Sequence, residues 1–256
     1  MKRELSYHGA TDIGLVRKNN EDTFIISPIW DGEYLLLLVV DGCGGYEGGE
    51  VASAIARDEI VAYLTGYNKE ASRLSLLEEA VFVANNRIVR RRAECKKLSS
   101  MGCVLTAAVV DRTNGLLLLS HVGDTRCYLY SSGTLRKLTR DHSLVGELED
   151  AGAMSETEAM AHPRRSVIDR MLGEEYHRLD DGFVDSTIIP LPDEYSILLC
   201  SDGLTDMVSS SEIKGILRAD YSTEDKTKCL IEYANKKGGK DNITIAIAES
   251  ISKLTD

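Results

Sequence analysis

Acidic residues recur at the edges of short apolar runs in this chain. Tyr34–Val40 runs into Asp41-Gly42, Leu116–Val122 into Gly123-Asp124, and Ser196–Ser201 into Asp202-Gly203. Asn20-Glu21-Asp22 immediately precedes Thr23–Ser27, and Asp241-Asn242 immediately precedes Ile243–Ala248. Taken singly, an Asp-Gly dipeptide is an ordinary turn. Taken together, these acidic positions flank strands of a layered fold whose ends can meet at one mouth. Carboxylates crowded there repel one another and take up protons unless a divalent cation lies among them.

The ligand type selects the ion. Carboxylates, backbone carbonyls and water suit Mg²⁺ or Mn²⁺, and no His pair or Cys cluster is spaced for zinc. Two such ions about 3.5–4 Å apart can share a water, lower its pKa and direct it at phosphorus. Arg17, just before Glu21 and Asp22, offers the planar two-point contact that an oxyanion prefers. Asp41-Gly42-Cys43-Gly44-Gly45 with Gly48-Gly49 is glycine-rich, but no Gly-Lys-Ser/Thr follows it, so it is not a nucleotide P-loop. Its glycines let the backbone pass close to a metal, with the Gly42 carbonyl as a ligand. Glu50-Val51-Ala52-Ser53 then opens a helix whose N-terminus adds positive potential.

The elements that would position these residues come in two textures. Short apolar runs bounded by Gly, Asp and Asn predict strands at Thr23–Ser27, Tyr34–Val40, Val104–Val110, Leu116–Val122, Arg126–Tyr130, Ser196–Ser201 and Ile243–Ala248. Thr113-Asn114-Gly115 and Ser131-Ser132-Gly133 lie between such runs as hairpin turns. Gly49–Leu64 and Leu74–Lys97 predict helices, the second with Leu77, Val81, Ala84 and Ile88 on one stripe. The basic residues Arg87, Arg90, Arg91, Arg92, Lys96 and Lys97 read as a solvated face with cations near the helix C-terminus, a docking surface being the alternative. The order is strands, two helices, strands, a polar stretch, then strand and helix again. That order predicts an α+β fold with packed sheets and helices outside. Residues 143–175 lack a long apolar run and read as a small helical flap within a single domain, 1–256.

The totals exclude several classes. A chain of 256 residues with a net charge of −11 is a poor nucleic-acid binder, because the phosphate backbone repels it. The longest apolar runs are far too short to span a bilayer, and the N-terminus has no apolar stretch of a signal peptide. Six cysteines without a Cys-x-x-Cys pair predict reduced, buried thiols and a cytoplasmic location.

The motifs, in order, resemble a known family. Asp12-Ile13-Gly14 with Arg17-Lys18-Asn19-Asn20-Glu21-Asp22, then Asp41-Gly42-Cys43-Gly44-Gly45 with Gly49-Glu50-Val51-Ala52-Ser53, are followed by Met101-Gly102-Cys103. His121-Val122-Gly123-Asp124-Thr125-Arg126, Leu138-Thr139-Arg140-Asp141-His142-Ser143, Ser201-Asp202-Gly203-Leu204 and Asp241-Asn242-Ile243-Thr244 complete the series. Across nearly the whole chain this is similar to the metal-dependent protein phosphatases of the PPM type, also called type 2C, in their compact bacterial form.

The resemblance implies a four-layer α-β-β-α sandwich, two antiparallel sheets flanked by helices, with the metals in a cleft at one end. It implies hydrolysis of phosphoserine and phosphothreonine in proteins by a hydroxide bridging two Mn²⁺ or Mg²⁺ ions, with no phosphoenzyme. By position, Asp41 would bridge both ions, and Asp202 and Asp241 would complete one of them. The Gly42 carbonyl, with Glu21 acting mostly through water, would serve the other. Asp22 would hold waters one layer further out, and Asp124 with Asp202 matches a third, weaker ion. Arg17 would bind the substrate phosphate. Residues 143–170 would be the mobile flap beside the cleft. The implied partners are phosphorylated proteins and a cognate serine/threonine kinase, for a protein that needs to be no more than a monomer.

Two positions depart from the family. Cys43 stands where some relatives carry a His proposed as general acid, which leaves the departing oxygen to a metal-bound water or to unassisted departure. Cys43 is also a candidate oxidisable thiol beside the cleft. Met101-Gly102-Cys103-Val104 lacks the hydroxyl residues usual after Met-Gly and reads as core packing. Two other functions remain open on sequence: a phosphoprotein-binding pseudophosphatase, and a two-metal hydrolase of a small phosphate ester.

Overall fold

The computed structural model describes residues 4–43, 48–66, 72–179 and 181–250. Gly44 and Gly45 of the glycine-rich motif lie outside the described residues, as do the two ends of the predicted domain.

The chain opens with strands β1 (Leu5–Asp12), β2 (Thr23–Ile29) and β3 (Tyr34–Cys43), then helices α1 (Gly49–Gly66) and α2 (Arg73–Glu94). Four strands follow: β4 (Gly102–Asp111), β5 (Leu116–Val122), β6 (Arg126–Ser131) and β7 (Thr134–Lys137). Helices α3 (Leu144–Asp150) and α4 (Glu156–Ala161) form the polar excursion. The last part is β8 (Asp185–Pro190), β9 (Ser196–Cys200), α5 (Asp202–Thr205), α6 (Ser210–Arg218), α7 (Thr223–Lys236) and β10 (Ile243–Ser250).

The strands make two antiparallel five-stranded sheets, ordered β1-β10-β9-β6-β7 and β2-β3-β4-β5-β8. Three apolar layers hold them. Leu36, Leu38 and Val40 of β3 face α1 and α2, while Leu35, Leu37 and Val39 face the other sheet. Both faces of β3 are therefore buried, which is why its sequence is a continuous apolar run instead of an alternation. Each such leucine contributes about 1.5–3 kcal/mol by leaving water. Ile243, Ile245 and Ile247 of β10 pack under α5–α7, and the intervening Ala246 and Ala248 face the inter-sheet layer. The order of layers is helices, sheet, sheet, helices.

The predicted strands lie where expected. Three further strands, β1, β7 and β8, carried no clear pattern, and all three are at sheet edges. An edge strand pairs on one side only and tolerates mixed polarity. Ile188 of β8, for example, is half exposed.

The second helix is shorter than predicted. It stops at Glu94 because Cys95 is extended (φ −136°, ψ 105°), and a 3₁₀ turn, Lys96–Leu98, follows. Its basic residues have local partners: Arg87 with Glu59 at 3.4 Å, Arg91 with Glu94 at 3.7 Å, and Arg92 with the carbonyls of Ser99 and Gly173.

In place of one closing helix there are three. Serines cap two of the longer ones: Ser209 with Glu212 in a capping box at α6, and Ser222 accepting from the Asp225 amide at α7. Both hairpin turns appear as expected. Ser132 and Gly133 take positive φ (49° and 75°) between β6 and β7, and Asp111 accepts from the amides of Thr113 and Asn114. The polar excursion is two short helices and a loop that returns to β4, where Cys103 and Leu172 exchange backbone hydrogen bonds of 3.2 and 2.8 Å.

Candidate active site

The strand ends do meet. Arg17, Glu21, Asp41, Gly42, Cys43, Asp124, Asp202, Asp241 and Asn242 line one cleft of about 200 Å³, together with Val104, Ser166 and Ile168. Asp41 and Gly42 come from the last residues of β3, and Glu21 from the approach to β2. Asp124 follows β5, Asp202 begins α5 after β9, and Asp241 precedes β10.

Asp22 is not on the wall. It lies buried behind it, accepting a hydrogen bond of 2.8 Å from the Ser201 hydroxyl. That hydroxyl in turn accepts from the Thr244 amide at 2.9 Å. The β9 and β10 ends are thus tied to the residue expected to act one layer out.

Close backbone approach builds the floor. A Cβ at Gly42 would collide with the carbonyl oxygens of Gly49 and Glu21, and one at Gly203 would collide with that of Asn242. Asn242, whose motif suggests no role for it, organises the loops. Its side-chain oxygen accepts from the Glu21 amide at 2.8 Å. Its amide nitrogen donates to the Ile13 and Asn19 carbonyls, both at 3.0 Å. Ser53 donates to the Glu21 carbonyl at 2.6 Å. These bonds fix the loop from Ile13 to Asp22 against the start of β10.

The electrostatics are those of crowded acids. Burial and then its acidic neighbours, with Asp22 first, lift Asp41 well above the usual carboxylate range. Burial, then Asp206, Asp124 and Asp241, do the same to Asp202. Asp124 is pushed up to about 7 by burial and then by Asp141 and Asp206. Asp22 is pushed up to about 6, chiefly by burial. Glu21 is raised by burial and by Glu50.

Among the described residues, Arg17 is the one Lys or Arg on the cleft wall. Its Nη2 donates to Asp241 Oδ2 at 2.5 Å. Burial opposes its charge, but Asp241, Asp202 and Asp41 outweigh that and keep the guanidinium protonated. The expected role of Arg17 is to bind a phosphate. Here it neutralises one carboxylate and remains half exposed.

Whether these residues fit a divalent ion turns on their chemistry. Among the described residues no three His, Cys, Asp or Glu side chains converge tightly enough to hold an ion by themselves. Yet the carboxyls are close enough to suppress one another's ionisation, and a single arginine does not balance them. Few protein oxygens around a roomy polar cavity is the arrangement that Mg²⁺ and Mn²⁺ use, because Mg²⁺ in particular keeps several waters. The residues fit the ions.

Cys43 is half buried with Sγ 3.4 Å from the Met171 sulfur. Burial and then nearby carboxylates, Asp124 first, push its thiol up to about 12. In the metal-free cleft it is a protonated thiol at neutral pH, unsuited to be a nucleophile there.

The excursion borders the cleft, as the resemblance implies, through Ser166 and Ile168. Two further features carry no signal in the sequence. Arg165 pairs with Asp206 just beyond α5. An ion cluster around the buried Asp141 lies beside Asp124: Arg126 with Asp141 (2.6 Å) and Glu149 (2.8 Å), and Lys137 with Asp141 (3.1 Å) and Asp150 (2.6 Å). These contacts join the excursion to β6 and β7. Sequence spacing alone gives no sign of them, although Arg126 and Asp141 stand in the quoted motifs.

Comparison with known proteins agrees with this geometry. The sequence model described as Protein phosphatase 2C matches residues 16–242. The serine/threonine phosphatase stp of Listeria welshimeri is 37% identical over 246 residues, covering 93% of each chain. The crystal structure of the Mycobacterium tuberculosis serine/threonine phosphatase PstP/Ppp superposes with a TM-score of 0.84 at 34% identity, over 97% of this chain and 99% of that one. The catalytic domain of the serine/threonine protein phosphatase PstP in complex with 2 manganese ions gives a TM-score of 0.82 at 33% identity, over 97% and 99%. The two sheets, their helices and the matched span leave one conclusion: this chain belongs to the protein phosphatase 2C family.

Proposed function

We propose that this cleft hydrolyses phosphoserine and phosphothreonine esters of proteins, with two Mn²⁺ or Mg²⁺ ions and a third, weaker one. The chain is a metal-dependent serine/threonine protein phosphatase. The observation that carries the site assignment is the set of buried carboxyls from several strand ends, whose ionisation is opposed first by burial and then by neighbouring acids, in a polar cavity with one arginine at its rim.

Asp41, the Gly42 carbonyl, Asp202 and Asp241 would hold the two principal ions, with Glu21 and Asp22 acting through water and Asp124 with Asp202 holding the third. When bound, the ions supply a water ionised near neutral pH and positive charge for the phosphoryl oxygens. The chain's own residues do the rest. Arg17, on a loop pinned by Asn242, can exchange its Asp241 partner for two phosphoryl oxygens and orient the ester for in-line attack. Asp22, held by Ser201, keeps the floor polar. Cys43, as a protonated thiol, leaves the serine or threonine oxygen without a strong side-chain acid at that position, and no covalent phosphoenzyme is called for.

Residues 1–256 act as one catalytic domain, with about 143–175 as the flap whose Ser166 and Ile168 border the substrate. The substrates are phosphoproteins, so a serine/threonine kinase must supply them, and a monomer suffices. A cytoplasmic location is consistent with the free thiols and with the absence, among the described residues, of a helix long and apolar enough to cross a membrane.

The test is a substrate profile. The purified protein with Mn²⁺ is given phosphothreonine and phosphoserine peptides beside small phosphate esters at equal concentration. Preference for the peptides supports the reading. Preference for a small ester, or binding of peptide without turnover by folded protein, contradicts it.

A further inference from the structure

The turn that carries Asp124 is gripped by two imidazoles that nothing above uses. Gly123 has φ +105°, and its backbone passes so close to Val104 that a Cβ could not be accommodated. The His142 amide donates to the Gly123 carbonyl at 2.7 Å. The Gly123 amide donates to Nδ1 of the same histidine at 3.0 Å. Both peptide units flanking Gly123 are therefore tied to one residue.

His121 holds the carbonyl from another side. Its Nε2 lies 2.9 Å from the Gly123 oxygen and 3.1 Å from the Arg140 oxygen. Both neighbours are acceptors, so Nε2 carries the proton. Nδ1, 2.9 Å from the Thr106 hydroxyl, then accepts. His142 is the same tautomer: Nδ1 accepts from the Gly123 amide, so the proton is on Nε2, 3.3 Å from Asp185 Oδ2 but without hydrogen-bond alignment. The rings are 5.0 Å apart. Burial lowers both imidazoles, His121 to about 4, so both are neutral and their tautomers are fixed by these partners.

We propose that His142 and His121 are positioning residues that aim the Asp124 carboxylate into the cleft, His142 through Nδ1 and His121 through Nε2. The proposal rests on the reading of Asp124 as a metal carboxylate. Asp124 has no rigid element of its own: it lies between β5 and β6 in the three-residue turn of Gly123, Asp124 and Thr125, and the imidazoles supply the restraint that a strand would otherwise give. The flap shares it, since the Asp169 amide donates to the His142 carbonyl at 2.7 Å.

Opposite ring nitrogens face Gly123, Nδ1 of His142 and Nε2 of His121, and this gives a crossed test. An asparagine oxygen reaches the place of Nδ1, and a glutamine amide nitrogen reaches the place of Nε2. His142→Asn and His121→Gln should therefore keep the restraint, while His142→Gln and His121→Asn lose it. Two quantities are read on the full chain, with thermal unfolding to confirm the fold: exchange of the Gly123 amide in EDTA by NMR, and Mn²⁺ binding by calorimetry, with Asp124→Asn as reference. The losing pair should show faster Gly123 exchange and a weakest Mn²⁺ dissociation constant raised about 10–100-fold, as for outer partners of metal ligands. The tighter Mn²⁺ events should be unchanged. If Asn and Gln behave alike at each position, ring packing is all that matters and the proposal is overturned. If all four variants match the wild type while Asp124→Asn loses Mn²⁺, positioning is again overturned. If Asp124→Asn itself binds Mn²⁺ as the wild type does, the metal role of Asp124 falls and the proposal with it. Should one position fail to yield folded protein, the other carries the same crossed comparison.

Discussion

Replacing Asp124 by Asn should stabilise the metal-free protein and weaken its response to Mn²⁺. A carboxyl that titrates at about 7 in the fold instead of 3.8 costs about 4 kcal/mol to hold ionised there, at about 1.4 kcal/mol per tenfold change in the proton equilibrium. The sign follows from linkage. Between pH 3.8 and about 7 Asp124 is protonated in the fold and ionised in the unfolded chain, so folding is penalised increasingly as pH rises, and fully above 7. A neutral isostere removes the penalty. At pH 7.5 Asp124→Asn should gain about 4 kcal/mol, and at pH 5 only about 2 kcal/mol. For a chain of this size the larger figure corresponds to roughly 10 °C in melting temperature. The assay is thermal and urea unfolding in EDTA at the two pH values, repeated with Mn²⁺. Mn²⁺ at about 100 times its dissociation constant adds about 2.7 kcal/mol per site, and the variant should lack the increment of the ion that Asp124 helps to hold. A metal-free variant less stable than the wild type at pH 7.5, or equally shifted at both pH values, would refute the reasoning that crowding is relieved by cations.

Other perturbations have defined outcomes. Arg17→Ala breaks an ion pair whose arginine side chain is 51% exposed, so stability should change by less than about 1 kcal/mol. Its kcat/KM for a phosphothreonine peptide should fall about 10–100-fold through loss of a charged hydrogen bond, mostly in KM; unchanged saturation kinetics would remove Arg17 from the substrate site. Gly42→Ala must push the chain off the Gly49 and Glu21 carbonyls, costing about 1–3 kcal/mol and raising the Mn²⁺ needed for half-maximal turnover; calorimetry and a Mn²⁺ titration check both. Arg126→Met leaves Asp141 and Glu149 without their shared buried cation, and urea unfolding should show a loss of about 3–5 kcal/mol, whereas a loss under about 1 kcal/mol would mean that Lys137 and water compensate.

What could be read from the chain follows a physical line. The central strands were legible because burial on both faces demands an unbroken apolar run, as in Leu35–Val40. The edge strands were not, because Leu5–Asp12 and Asp185–Pro190 answer to one neighbour and to solvent. Asp41, Asp202, Asp241, Asp124 and Glu21 were legible because a strand end fixes where its next residue goes, and the cleft gathers all of them. Asp22 was legible as an acid near the site, though not as one buried behind the wall with Ser201. Arg17 was placed at the site, but its pairing with Asp241 could not be foreseen, since it depends on which carboxylate lies nearest when the loop folds back. The clamp of Asn242, the Arg126–Asp141–Lys137 cluster and the tautomers of His121 and His142 are contacts through space between motifs. Each residue was visible in sequence without its partner.

The most direct measurement is hydrolysis of a phosphothreonine peptide in EDTA, Mg²⁺ and Mn²⁺ by the wild type and by Asp41→Asn, with the fold of both verified by circular dichroism. A phosphatase centred on Asp41 turns over only with metal and loses that turnover in the variant. Turnover in EDTA, or Asp41→Asn working at the wild-type rate with Mn²⁺, would contradict it.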